Sequence, residues 1–221
     1  MHILIAANGA LGEKPDLPDA DLLIAADGGA RHFQGLGLRP DILIGDLDSI
    51  PAEEVLRLEN LGTTVLRLPA DKDQTDLELA LDEGLRQGGS RFTLLGLFGG
   101  RWDMTFANLL LLASAKYHHI EIQAVHGKTR LHILHPGRGL QITGRPGEIV
   151  SVIPLDGPLQ GLTYRGLEWR LESADLPFGS PRGVSNRLVG ETAEIQLSQG
   201  TAAVFILPAD SDRLSVVTKE K

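Results

Sequence analysis

Two short acidic clusters, Gly45-Asp46-Leu47-Asp48-Ser49 and Asp71-Lys72-Asp73-Gln74-Thr75-Asp76, hold the side chains best suited to chemistry in this 221-residue chain. They lie about 25 residues apart, the span of one α/β unit. Carboxylates are hard oxygen donors, and Mg²⁺ is usually held by one or two of them together with substrate phosphates. Asp46 and Asp48, two apart in extended backbone, are expected to point to the same side. Asp73 and Asp76, three apart at a helix start, are expected on one helix face. Lys72 between them can pair a phosphate or neutralise its neighbours. Arg101 follows Gly99-Gly100, whose backbone can approach a ligand closely, and its guanidinium can fork onto phosphate oxygens. Asp27, ahead of Gly28-Gly29, is open between turn chemistry and a site. Each feature alone also fits a plain turn or helix cap. Together they describe metal-assisted phosphoryl or pyrophosphoryl transfer.

The familiar alternatives are missing. There is no G-x-x-x-x-G-K-[ST] phosphate loop, no G-x-G-x-x-G after a strand and no G-x-S-x-G elbow. Seven histidines show no metal-ligand spacing, and the absence of cysteine excludes disulfides, thiolate metal sites and a cysteine nucleophile. A net charge of −8 argues against nucleic-acid binding, which needs a basic footprint. The first residues carry no leader-like pattern and no apolar run reaches membrane-spanning length, so a cytoplasmic protein is expected.

The elements that must position these residues are legible in order. Ile3 to Ala7, Leu22 to Ala26 and Asp41 to Ile44 are apolar runs that each end in glycine or polar residues. That texture predicts a parallel sheet covered on both faces, with ligands beyond the carboxyl ends of its strands. Asp27 and Asp46 fall at those ends. A helix is predicted over Pro51–Asn60, a strand over Thr63–Leu68, and a helix opening on the capping box Thr75/Glu78 and ending at Gly88-Gly89. Asp76 then lies in the first turn, where the helix dipole should lower its pKa. A strand over Phe92–Phe98 precedes a helix through Leu109 to Ala115 that Asp103 or Thr105 can cap. His118-His119 is expected at that helix's C-terminus, and Ile120–Val125 as the last strand of the section.

From about Gly127 the texture changes to short strands with turn residues every 8–12 positions or so, as in a β-sandwich. Strands are predicted over Thr129–Leu134, Leu140–Ile142, Ile149–Ile153, Leu167–Leu171, Ala193–Leu197 and Ala202–Leu207. The fold class is therefore α/β: a Rossmann-like parallel-sheet domain over 1–127 that carries the acidic clusters, then an all-β sandwich domain over 128–221. Ser211 to Lys221 is expected to be mobile. Trp102 and Phe178 are expected in cores, while Trp169 is open between core and cation–π contact with a bound cation.

Four motifs in order carry a resemblance. Ala26-Asp27-Gly28-Gly29-Ala30, Gly45-Asp46-Leu47-Asp48-Ser49, Asp71-Lys72-Asp73-Gln74-Thr75-Asp76 and Gly99-Gly100-Arg101-Trp102-Asp103 closely resemble those of the thiamine pyrophosphokinase family. Val150–Leu155 and Gly183-Val184-Ser185-Asn186 resemble its thiamine-binding β domain. The resemblance implies Mg²⁺-dependent transfer of the β,γ-pyrophosphoryl group of ATP to thiamine, releasing AMP. It also implies a homodimer with active sites between subunits. By the same resemblance Asp46, Asp48 and Asp76 match metal-binding aspartates, and Asp27 and Asp73 acidic positions beside the substrates. Arg101 and Asp103 match the G-G-R-x-D motif, and Ser185 and Asn186 the thiamine-side segment. Gln74 lies within the second acidic motif and is grouped with the substrate-binding residues. One departure is Met104, where the family usually has histidine.

The expected mechanism is in-line attack of the thiamine hydroxyl on the β-phosphorus. Lys72 and Arg101 would stabilise developing charge, and Asp73 or Asp27 would serve as general base. Two alternatives stand beside it: a pyrophosphokinase for a pterin alcohol, and a nucleotide- or thiamine-binding sensor whose catalysis has lapsed, which Met104 alone encourages.

Overall fold

The structure is a computed structural model and describes residues 1–209, so the end expected to be mobile, Ser211 to Lys221, lies outside the described residues. The chain divides into two compact units, Met1–Leu111 with His119–Gly127, and Leu112–His118 with the chain from Lys128 on. No described helix is long and apolar enough to cross a membrane.

The first unit contains strands β1 (His2–Ala6), β2 (Leu22–Ala26), β3 (Ile42–Gly45), β4 (Thr64–Arg67), β5 (Arg91–Leu95) and β6 (Glu121–His126). Its helices are α1 (Ala30–Leu36), α2 (Ala52–Asn60), α3 (Asp76–Arg86) and α4 (Trp102–Leu112). The strands run parallel in the order β6-β5-β1-β2-β3-β4. Alternation along the strands explains why both faces are apolar. Leu4, Ala6, Ala25, Leu43 and Leu95 pack with Phe33 of α1 and with Val55 and Leu58 of α2. On the opposite face α3 lies so close that a side chain at Gly84 would meet Phe92 at 2.5 Å and Ile3 at 3.2 Å. Register then sets the site: Ala26 pairs with Ile44, which puts Asp27 beside Gly45 at adjacent strand ends.

Several local expectations change. The apolar run Phe92–Phe98 stops being strand at Leu95 because Gly96 turns to φ 65°. Gly99 and Gly100, both left-handed, carry the chain straight into α4 at Trp102, so Asp103 and Thr105 lie inside its first turn and neither is the cap. That helix ends at Leu112, and a separate 3₁₀ turn at Ala115–Tyr117 precedes His118-His119, which therefore do not end α4. Helix α1 went unpredicted because its short sequence, ARHFQGL, carries almost no apolar periodicity.

The second unit contains β7 (Thr129–Leu134), β8 (Gly139–Thr143), β9 (Ile149–Pro154), β10 (Leu159–Arg165), β11 (Leu171–Leu176), β12 (Asn186–Arg187), β13 (Thr192–Gln196) and β14 (Ala202–Leu207). Two antiparallel layers, β12-β9-β14-β7 and β11-β10-β13-β8, enclose one core. Val150, Val152, Val204 and Ile206 from one layer meet Leu162, Tyr164 and Ile195 from the other. The predicted strand Leu167–Leu171 is absent: Leu167 makes a single bridge to Leu188, and the strand begins only at Leu171. The unpredicted β10 contains Gly161 at φ 64°, which interrupts the alternation a strand shows in sequence.

One buried group sets an acid limit on this unit. His135 is only 2% exposed, stacks on His118 at 4.3 Å, and neither of its ring nitrogens has a hydrogen-bond partner. Burial, with the charges of His118 and Arg138, lowers its pKa from 6.5 to about 4 against the opposing pull of Asp156. The fold thus holds the ring neutral, whereas the unfolded ring takes a proton below about 6.5. Its contribution is complete above that value and is lost as the pH falls towards about 4. His132, half-buried and lowered to about 4 by desolvation with the Arg130 charge adding, contributes to the loss. Thermal melts of His135→Leu should show a shallower decline between pH 6.5 and 4 than the parent; an unchanged slope would contradict a neutral buried ring.

Candidate functional site

Three carboxylates converge where β2, β3 and α3 meet. Asp27 follows β2 at φ 46°, Asp46 follows β3, and Asp76 opens α3, whose cap Thr75 accepts the Glu78 amide at 3.2 Å. One oxygen from each lies within 4.8 Å of the others. Asp27 is 4% exposed, and its Oδ1, like Asp76 Oδ1, is buried without a hydrogen bond. Gly45 makes this crowding feasible: a Cβ there would sit 3.1 Å from both Asp27 Cβ and Asp76 Oδ1. Its φ of 148° is moreover one that L side chains rarely adopt.

Lys72 Nζ lies 2.9 Å from Asp76 Oδ1 and 3.9 Å from Asp46 Oδ2. The shorter contact is an ion pair not aligned as a hydrogen bond, which leaves the ammonium buried without one. The pKa of Asp76 is raised, against the expectation from the helix dipole. Burial is the largest cause, the Lys72 ammonium opposes it, and the charges of Asp27 and Asp46 add to it. Hard oxygens, like-charge crowding and unsatisfied buried lone pairs are what a small divalent cation would resolve, so the group fits Mg²⁺.

Other expected residues fall elsewhere. Asp48 is exposed and outside this group, because Leu47 at φ 63° breaks the alternation that would have aligned it with Asp46. Its Oδ1 accepts from Ser49 Oγ at 3.0 Å, and its amide donates to Asp46 Oδ1 at 3.3 Å. Asp73 is exposed. Gln74 donates to Asp82 at 2.9 Å and lines an open cavity of about 540 Å³ with Leu66, Arg67 and Arg86, which none of the three aspartates lines. Arg101 and Asp103 form an exposed ion pair that lowers the Asp103 pKa. Trp102, expected in a core, is 79% exposed. The sequence had Asp27 as a substrate-side residue and overlooked Gly45; the signal for Gly45 was a glycine directly between strand and aspartate.

In the second unit Asn186 is buried and clips the backbone of Trp169. Its Oδ1 accepts from Trp169 N at 3.0 Å, and its Nδ2 donates to Trp169 O at 2.7 Å. The Trp169 indole itself is exposed, as is Phe178, which corrects the core expectation for Phe178. Ser185 is exposed at φ 64° and its amide donates to Ser151 Oγ at 3.0 Å.

Two family models match in succession: "Thiamin pyrophosphokinase, catalytic domain" over residues 16–124, and "Thiamin pyrophosphokinase, vitamin B1 binding domain" over 132–202. The chain belongs to the thiamine pyrophosphokinase family. It is 29% identical to thiamine pyrophosphokinase of Bacillus subtilis over 90% of this chain and 94% of that one. The crystal structure of thiamine pyrophosphokinase from Bacillus subtilis superposes with a TM-score of 0.82 at 28% identity, covering 95% of this chain and all of that one. Thiamin pyrophosphokinase from Geobacillus thermodenitrificans gives 0.80 at 29% identity over 96% and 99%.

Within this thiamine pyrophosphokinase family member the catalytic-domain match spans all three clustered aspartates, Lys72 and Arg101, while the vitamin B1 match spans Trp169, Ser185 and Asn186. Gly45→Ala tests the geometry of the acidic group. It should cost about 1–3 kcal/mol in urea unfolding through backbone strain, and it should abolish the rise in Tm on adding Mg²⁺. Retention of that rise would show that the close approach at Gly45 is not required.

Proposed function

We propose that this chain transfers the pyrophosphoryl group of ATP to the hydroxyl of thiamine, giving thiamine diphosphate and AMP. The observation that carries the reading is the group of Asp27, Asp46 and Asp76, with the buried Asp27 Oδ1 unpartnered and Asp76 Oδ1 held only by the Lys72 ammonium, in a chain matched by both halves of the family. Those three residues would hold Mg²⁺, which when bound supplies charge neutralisation at the transferring phosphates. Asp48, exposed on the same strand end, is left outside this inner set.

The protein's own part is positioning and electrostatics. The thiamine hydroxyl attacks the β-phosphorus, a new O–P bond forms, and the bond to the α-phosphate oxygen breaks to release AMP. Asp27 is taken up by the acidic group, which leaves Asp73 to accept the hydroxyl proton. Lys72 and Arg101 face the charge on the phosphates, and Arg101 must exchange its Asp103 partner to do so. Gln74 and Asp103 serve as substrate-binding residues. Trp169, held by the Asn186 clip, and Phe178 are both exposed and offer aromatic faces to the thiazolium cation.

The working unit is a homodimer in the cytoplasm. Trp102, Phe106 and Leu110, exposed one turn apart along α4, support the assembly as an apolar stripe that water would not otherwise retain. Neither the pterin-alcohol reading nor the lapsed sensor gains a supporting observation.

An AMP-release assay with ATP, Mg²⁺ and thiamine tests the reading. Asp46→Asn should lose at least about 100-fold in turnover while its Tm stays near the parent's; turnover at the parent's level would remove the metal assignment. Trp169→Ala should raise the KM for thiamine about tenfold, from the loss of a cation–π contact, with the KM for ATP unmoved. An equal effect on both substrates would contradict its place on the thiamine side.

A further inference from the structure

The acidic group already holds a cation of its own. Lys72 stands four residues before Asp76, in the loop that leads into α3, and its ammonium lies between Asp76 Oδ1 at 2.9 Å and Asp46 Oδ2 at 3.9 Å. The lysine side chain is 16% exposed, while its Nζ is buried without a hydrogen bond. A buried ammonium left in that condition is costly unless a strong local field holds it, and three crowded carboxylates supply one. The carboxylates need it equally, since two of their oxygens have no hydrogen bond and Asp27 is almost wholly enclosed.

The ammonium and a divalent cation cannot share this space. Both would compete for Asp76 Oδ1 and Asp46 Oδ2, and like charges at contact distance in a poorly solvated site repel strongly. A lysine suits a temporary occupant better than an arginine would. Its charge is compact, its four-carbon stem is flexible, and it has no planar fork locking it to one carboxylate. It also springs from a short segment between exposed Asp71 and Asp73, so it can swing without disturbing β3 or α3.

We propose that Lys72 is a built-in counter-ion: it occupies the cation position of the Asp27–Asp46–Asp76 group until a divalent ion enters, and then moves onto the phosphates of the nucleotide. This rests on the reading of those aspartates as the metal-binding group. The consequence is a coupling. A metal ion alone must expel the ammonium into water and binds weakly. A metal ion arriving with a triphosphate gives the ammonium a new anionic partner, so the two bind cooperatively. The group is also kept from collapsing or binding stray cations between turnovers.

Mn²⁺ titrations followed by the EPR signal of the free ion, without nucleotide, read the effect directly. Lys72→Gln should bind Mn²⁺ about tenfold more tightly than the parent, or better, because nothing has to be expelled. Its metal-free Tm should fall below the parent's and recover further on adding Mg²⁺. With a non-hydrolysable ATP analogue present, the Mn²⁺ advantage should vanish or reverse. Lys72→Arg keeps the charge and should bind Mn²⁺ no more tightly than the parent, which preserves the test if Lys72→Gln folds poorly. Equal or weaker Mn²⁺ binding by Lys72→Gln, or tighter binding by Lys72→Arg, would overturn the counter-ion role. Mn²⁺ binding that survives Asp46→Asn would instead overturn the metal group itself, and this inference with it.

Discussion

Repulsion among three crowded carboxylates, one buried and two half-buried, is the constraint on which the first unit depends. Asp27, Asp46 and Asp76 are brought within 4.8 Å of one another, and burial raises the pKa of Asp76, with Asp27 and Asp46 adding to the rise. Such a group opposes folding unless a cation compensates it. Lys72 does so from within the chain, and the same preference for a positive partner is one that a divalent cation fits.

The scaffold spends its most rigid features on holding that group together. Parallel register places Asp27 beside Gly45, and the absence of a side chain at Gly45 leaves room for Asp76 from α3. Gly29 is needed in the same way, since a side chain there would collide with the Ala6 carbonyl and push β1 from β2. Left-handed backbone at Asp27 and Leu47 turns the chain sharply at both strand ends. The Thr75 cap secures the start of α3, so Asp76 does not fray away. All these positions converge on one rim of one sheet.

The β unit works by a different division of labour. Its core is apolar and two-layered, and its recognisable polar segment is structural at Asn186, whose amide is fully engaged with the Trp169 backbone. What it presents outward is aromatic: Trp169 is 56% and Phe178 63% exposed. A buried asparagine that fixes the backbone of an exposed tryptophan lowers the ordering cost of using that ring in binding.

The sequence by itself determined the class of fold, the parallel strands that end in acidic residues, the capped start of α3 and the family. These follow from local rules: apolar runs bounded by glycine, a Thr-x-x-Glu box and motifs in fixed order. It also pointed to the aspartates, since several acids gathered at the strand ends of one sheet are more than turns and caps require. Only the tertiary structure decided which acids meet. Asp48 was grouped with Asp46 by two-residue alternation, and a single left-handed Leu47 undid that, while Asp27 joined through sheet register across a gap no local pattern reports. Trp102 and Phe178 read as core because large aromatics usually are, and their exposure depends on what neighbours happen to cover. The sign of the Asp76 pKa shift was likewise unreadable, because the helix start acts locally whereas burial and two charges remote in sequence act through space.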